Sequence, residues 1–470
     1  MADDDLDAER PATAANPDPP AVHGRRALMV GLLAGVVCVA FESVAVATAM
    51  PQAAQDLGQL GLYAWAFTLF VLGMVLSTAV AGRLSDRLGP VQPLAVGTAL
   101  FLLGLLVAGA ASSMLVLVAA RFLQGVGGGA MNLCLMVVVA RAFEEHERAS
   151  IMTMFSFCWV MPAFLGPPVA AFITHHLGWH WVFWALVPLL LVAVAVSVRP
   201  LVELDRAHLP GAGDANPVPL WAAVLAAASA ALLQGASQLL GWLGAVMAVA
   251  AVGMLLLSVP RLMPPGFLRV RPGLSAVVWS RACQAGGFFA AESFLPLSLV
   301  ELRGLSLFQA GLALSIGSLG WTLGSWVQSR PWLRLRRDQL IQLGLACTLA
   351  GILAIVLAAW HPGGTLAVAA VGWTVGGFGM GLGIASGSLA VMQLSEDAQL
   401  GRNTSSLQTA EGLGNAMIGG LAGGIFHALQ ADAAPSATFG LVFTAVALCS
   451  AFGVGASLRI GRVRNATAGV

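Results

Sequence analysis

From Ala27 to Leu458 the chain is a succession of apolar stretches, parted by short polar turns. About 20 apolar residues suffice to cross a bilayer as a helix. In hydrocarbon a helix pairs every backbone N–H and C=O within the segment, which an open strand cannot do. The pattern therefore predicts an all-α integral membrane protein. Ala27–Met50, Leu62–Ala81, Val91–Ala111, Met114–Val139, Ile151–Ile173 and Trp181–Val198 read as six spans. Leu220–Leu240 and Trp242–Val259 form a pair of their own, and Leu274–Val300, Leu307–Val327, Leu340–Trp360, Leu366–Met392, Thr404–Leu429 and Thr438–Leu458 make six more. The expectation is fourteen transmembrane helices. With 58% hydrophobic and only 10% charged residues, an ordinary soluble enzyme is excluded.

The charges are sorted along this pattern. All 23 basic residues are arginine. Placing the amino terminus in the cytoplasm puts every one of them on that side except Arg303, in an outer loop, and Arg121 and Arg281, within spans. The positive-inside rule then sets both termini in the cytoplasm of a multi-pass protein of the cell membrane. Residues 1–24 are acidic, rich in Pro and Ala and without an apolar core, and read as a disordered cytosolic tail. Residues 25–198 form an amino-terminal six-helix bundle, 199–272 a linker with two inserted helices, 273–460 a second six-helix bundle and 461–470 a cytosolic tail.

Three carboxylates, Glu42, Glu292 and Glu411, are sunk within spans. At mid-bilayer each costs roughly 2.5–3.5 kcal/mol on insertion scales, so a use for them is expected. Hydrocarbon favours the neutral form of a carboxyl group, which allows it to take and release a proton as water access changes. Glu42 and Glu292 hold matching places in an internal repeat, Phe41-Glu42-Ser43 against Ala291-Glu292-Ser293. Gly166-Pro167-Pro168 in span five lines up in the same way with Gly419-Gly420-Leu421 in span thirteen. Two like-oriented halves around a midplane site suit a secondary transporter.

Two loops make the resemblance specific. Gly82-Arg83-Leu84-Ser85-Asp86-Arg87-Leu88-Gly89, after span two, resembles the signature loop of the major facilitator superfamily, although Pro90 and Val91 stand where that family has basic residues. Arg121-Phe122-Leu123-Gln124-Gly125 in span four is similar to the family's intramembrane arginine motif. The spacing of Glu42 to Pro51 in span one resembles the fourteen-span drug:proton antiporter branch, with Glu where Asp is more usual. Span five retains Gly166-Pro167 of the antiporter motif, while Pro162, Ala170 and Ala171 depart from it.

The resemblance implies the major facilitator fold, two six-helix bundles plus a two-helix insert, and a proton antiporter of the multidrug efflux type. Glu42 is then the proton carrier with Arg121 as its counter-charge, and Glu292 is a second carrier or a cation site. Asp86 and Arg87, between Gly82 and Gly89, form a gating loop. The substrate surface is less defined: Phe155, Trp159, Asn132, Phe289, Gln284, Asn415 and Glu411 are candidate contacts, since aromatic and amide side chains orient apolar ligands. Arg281 is expected to snorkel to the cytoplasmic surface, while for Glu411 two readings stand, contact with cargo or reach to interfacial water.

Without lysine no Walker loop is possible, and the six cysteines lack CxxC spacing, so neither a cofactor nor a metal is expected. The expected partners are a small-molecule substrate, protons and the lipid bilayer, with no nucleic acid and the chain acting as a monomer. A dedicated exporter of a metabolite, siderophore or lipid is the alternative; a membrane enzyme or a non-transporting sensor is remote.

Overall fold

The computed structural model describes residues 24–58, 62–207, 219–236, 242–305, 307–361, 366–430 and 433–465. The expected amino-terminal tail, the centre of the linker (208–218) and residues 466–470 lie outside them. Fifteen α-helices and two short 3₁₀ turns make up the described secondary structure, with no strand among the described residues. The first half holds α1 (Arg25–Leu57), α2 (Tyr63–Leu88), α3 (Val91–Gly109), α4 (Met114–Ala142), α5 (Glu145–Leu177), α6 (His180–Trp184) and α7 (Leu186–Ala207). Next come the inserted helices α8 (Leu220–Ala236) and α9 (Trp242–Leu262). The second half holds α10 (Leu274–Arg303), α11 (Leu307–Val327), α12 (Arg337–Trp360), α13 (Leu366–Leu394), α14 (Leu400–Leu429) and α15 (Pro435–Ser457).

Eleven candidate spans among the described residues have the length and apolarity to cross a membrane, α6 and α7 together counting as one. Expected span six is thus broken at Ala185 into two helices. Helix α14 falls outside the eleven because Asn403, Thr404, Ser405, Ser406, Gln408, Thr409 and Glu411 crowd its first half. The charged run Glu144-Glu145-His146-Glu147-Arg148, ahead of expected span five, forms the start of α5. Glu144 is the N-cap, and the Glu147 carboxylate accepts its N–H at 3.0 Å, a reciprocal box that lets the helix begin inside the charged run.

The internal repeat is carried by packing. In the first half α1 lies on α5 and α7, and α4 lies on α2 and α3. One repeat later α10 lies on α14 and α15, and α13 lies on α11 and α12. The halves meet along two seams related by the same exchange, α2 against α14 and α5 against α11. The insert breaks that symmetry: α8 covers the first seam, touching both α2 and α14, with α9 behind it. The Ser406 hydroxyl of α14 donates to the carbonyl of Leu262 at the end of α9, at 2.6 Å.

Glycine makes both halves tight in the same way. Gly125, Gly127 and Gly129 seat α4 on its neighbours, and a Cβ on Gly127 would come within 2.6 Å of the Gly97 carbonyl. Gly377, Gly379 and Gly381 repeat the alternation on α13, where a Cβ on Gly379 would come within 2.6 Å of the Thr348 amide. Small residues allow such backbone approach between membrane helices. Gly127→Leu is expected to cost about 3 kcal/mol, the upper end of overpacking penalties, because backbone cannot swing aside. Thermal melting of the detergent-solubilised protein checks this; an unchanged transition would contradict it.

Candidate functional site

Between the halves lies a cavity of about 420 Å³. Its walls come from α1, α4 and α5 on one side and α10, α11, α13 and α14 on the other. Phe155, Trp159, Phe288, Phe289 and Trp321 give it an aromatic body; Asn132, Gln408, Arg281, Glu292 and Glu411 give it polar points. The Phe288 ring stacks on Trp373 at 4.3 Å and meets Trp321 edge-on at 5.9 Å, so the C-half wall is fixed by ring packing.

Hydrogen bonds across the seams gather at the arginine-rich end. The Thr153 hydroxyl donates to the Ser325 carbonyl at 2.6 Å, and the Gln328 amide donates to the Ala149 carbonyl at 3.0 Å. At the other seam, the Asp86 carboxylate accepts the backbone N–H groups of Gly401 and Arg402, at 2.6 and 2.8 Å. Asp86 therefore caps a helix of the opposite half, where the N-terminal dipole favours negative charge. Gly82 permits the approach, since a Cβ there would stand 2.6 Å from Ser405 Cβ. Gly89 ends α2 at φ 82°, a conformation that suits glycine, and Arg87 beside it is exposed.

The expected Glu42–Arg121 pairing is present. Helix α4 starts from the Ser113 cap, whose hydroxyl accepts the Val116 N–H, and so carries Arg121 well inside the bundle. Arg121 forms an ion pair with Glu42, the two side chains 2% and 0% exposed. Its Nε donates to the Ala66 carbonyl at 3.2 Å and its terminal nitrogen to Gln124 Oε1 at 2.8 Å, and the guanidinium lies 4.2 Å over Phe70. The pair sits behind the cavity wall; Val44, two residues on from Glu42, is in it. Glu292, its repeat mate, is half-buried on the wall itself.

Of the candidate contacts, Phe155, Trp159, Asn132, Phe289 and Glu411 line the cavity together. Gln284 does not: it is buried in the second half, where its amide donates to the Gly379 carbonyl at 2.9 Å and to Thr348 Oγ1 at 3.3 Å. Asn415 also lies off the lining, with its carbonyl oxygen buried and without a hydrogen-bond partner. Gly166 faces Val44 and Phe41 of α1, and Pro167 follows it within α5. One further expectation is corrected. Arg281 does not snorkel to a surface; it is 5% exposed and lies 3.4 Å from Glu411. Glu411 accordingly faces the cavity and a buried arginine, because α10 packs directly on α14. The only sequence signal for this pair was one arginine and one glutamate left over within spans of the same half.

The Major Facilitator Superfamily profile matches residues 32–418. Multidrug resistance protein 3 of Bacillus subtilis (strain 168) is 31% identical over 172 residues, which is 37% of this chain and only 34% of the length of that relative. Multidrug efflux pump SdrM of Staphylococcus aureus (strain N315) is 25% identical over 297 residues, covering 62% of this chain and 66% of that protein. The crystal structure of the human organic anion transporter MFSD10 (TETRAN) superposes with a TM-score of 0.67 over 92% of this chain and 99% of that one. At 15% identity, that is a likeness of fold alone.

Proposed function

The chain belongs to the major facilitator superfamily and is a transporter rather than an enzyme; from that premise we propose that it is a proton-driven antiporter exporting small hydrophobic or cationic compounds. The carrying observation is the sealed Glu42–Arg121 pair beside an aromatic cavity whose wall bears the carboxylate of Glu292. An ion pair dry on all sides is a two-state element. Protonation of Glu42 releases Arg121, loss of the proton restores the pair, and α1 carries that change to Val44 on the cavity wall. Glu292, set among Phe288, Phe289 and Trp321, suits a cation with an apolar body.

By the positive-inside rule the arginine-rich end faces the cytoplasm, and the termini with it. The seams closed there describe a state shut toward the cytoplasm, with Asp86 as the latch. The helix order further supports fourteen spans, as in the drug:proton antiporter branch, with α6 and α7 forming one broken span and α8, α11 and α14 completing the set. Two relatives named for multidrug resistance and efflux support drug-like cargo.

The test is uptake of a cationic dye such as ethidium into inside-out vesicles of the plasma membrane. Uptake driven by an acid interior and abolished by a protonophore is expected; uptake indifferent to the gradient contradicts proton coupling. In the same assay Glu292→Gln is expected to weaken half-saturation for the cationic dye about tenfold, the worth of one charge-assisted contact.

A further inference from the structure

Two charged groups on the cavity wall, Arg281 and Glu411, have no part in that scheme. Arg281, on α10, is 5% exposed and lines the cavity. One terminal nitrogen donates to the Ser388 hydroxyl at 2.7 Å, which fixes the guanidinium against α13. Its Nε lies 3.4 Å from Glu411 Oε2, an ion-pair distance without a hydrogen bond. Both Nε and the second terminal nitrogen, Nη1, are buried with no hydrogen-bond partner. A guanidinium offers five donors in a rigid fork, and a buried donor left unmade is costly. Arg121 spends its donors on Ala66 and Gln124 besides its carboxylate. Arg281 keeps donors in reserve beside a cavity of about 420 Å³. Its counter-ion is weakly committed too, for Glu411 is 30% exposed where Glu42 is 0%.

We propose that Arg281 is the cavity's recognition site for a carboxylate on the transported molecule, with Glu411 as the counter-ion that holds the site when it is empty. This rests on export of small amphiphiles through the same cavity and deepens it: the cargo includes zwitterions, cation toward Glu292 and carboxylate toward Arg281. The two residues stand about three turns apart on α10, roughly 16 Å of helix. Phe288 and Phe289 lie between them in sequence, and Phe155, Trp159 and Trp321 line the same cavity and receive the apolar body. The planar fork of arginine matches a carboxylate in a way that a lone ammonium does not.

A matched pair of probes isolates the contact: a rhodamine with a free carboxylate, and its methyl ester. Binding of each is measured by fluorescence anisotropy to the full chain in lipid nanodiscs. Wild type is expected to bind both forms. Arg281→Gln is expected to weaken the carboxylate form about tenfold and the ester by less than about threefold. Glu411→Gln, which removes the competing carboxylate and keeps the arginine, is expected to tighten the carboxylate form alone; it carries the test should Arg281→Gln fail to fold. Equal losses for the two forms in Arg281→Gln, or a wild type that binds only the ester, would overturn the inference and leave the export reading standing. A wild type that binds neither form would bring down both.

Discussion

Glu42→Gln is expected to abolish gradient-driven transport and to destabilise the protein by about 3–5 kcal/mol, the cost of stripping one partner from a buried ion pair. The side chain is fully enclosed and its amide isostere fills the same volume, so the loss is one of charge and not of packing. Arg121 then keeps a positive charge among Ala66, Gln124 and Phe70 with no carboxylate to answer it. The reverse change is milder. In Arg121→Gln the abandoned carboxyl group escapes by taking up a proton, an exit closed to a guanidinium. Thermal or denaturant unfolding of both single variants and of the double variant closes the cycle. Glu42→Gln alone should be the least stable of the three. A double variant weaker than Glu42→Gln would show that the two side chains act separately.

Asp86→Asn is expected to open the arginine-rich end. The carboxylate accepts two backbone N–H groups at the start of α14 and carries the charge that the helix terminus favours. An amide in its place offers one oxygen, no charge and a donor turned toward donors. Charge-assisted bonds of this kind contribute about 2 kcal/mol, so the ratio of closed to open states should fall roughly thirtyfold. Distances between spin labels placed on α2 and α14 near Gly82 and Gly401 report the ratio directly. An unchanged distance distribution would mean that the Thr153–Ser325 and Gln328–Ala149 contacts of the other seam hold this end shut by themselves.

How much of this was legible depended on whether the signal was local. Glu42 and Arg121 stand out because each is a lone charge in an apolar run, and the signature loop marks Asp86 within a few residues. That Asp86 caps α14 was not legible, since its partners are backbone amides some three hundred residues away, at Gly401 and Arg402. The alternation Gly377-x-Gly379-x-Gly381 repeats Gly125-x-Gly127-x-Gly129 and was present in the text of the chain, yet glycine abounds in α13 and the pattern does not rise above it. Arg281 was misplaced, and Glu411 left between two readings, for a physical reason. Taken singly, each sits near the end of an apolar run, where a long side chain reaches water; only the packing of α10 on α14 turns them toward one another. Gln284 erred the other way, as a scarce amide expected at the ligand and used instead to tie α10 to α12 and α13.

The most direct test of the central claim is proton movement coupled to cargo. Inside-out vesicles holding the purified chain are loaded with a pH-sensitive dye and energised to an acid interior, and a cationic substrate is then added outside. The expected result is release of interior protons that saturates with substrate and is absent in Glu42→Gln. Substrate uptake with no proton release, or proton release that survives the Glu42→Gln change, would contradict it.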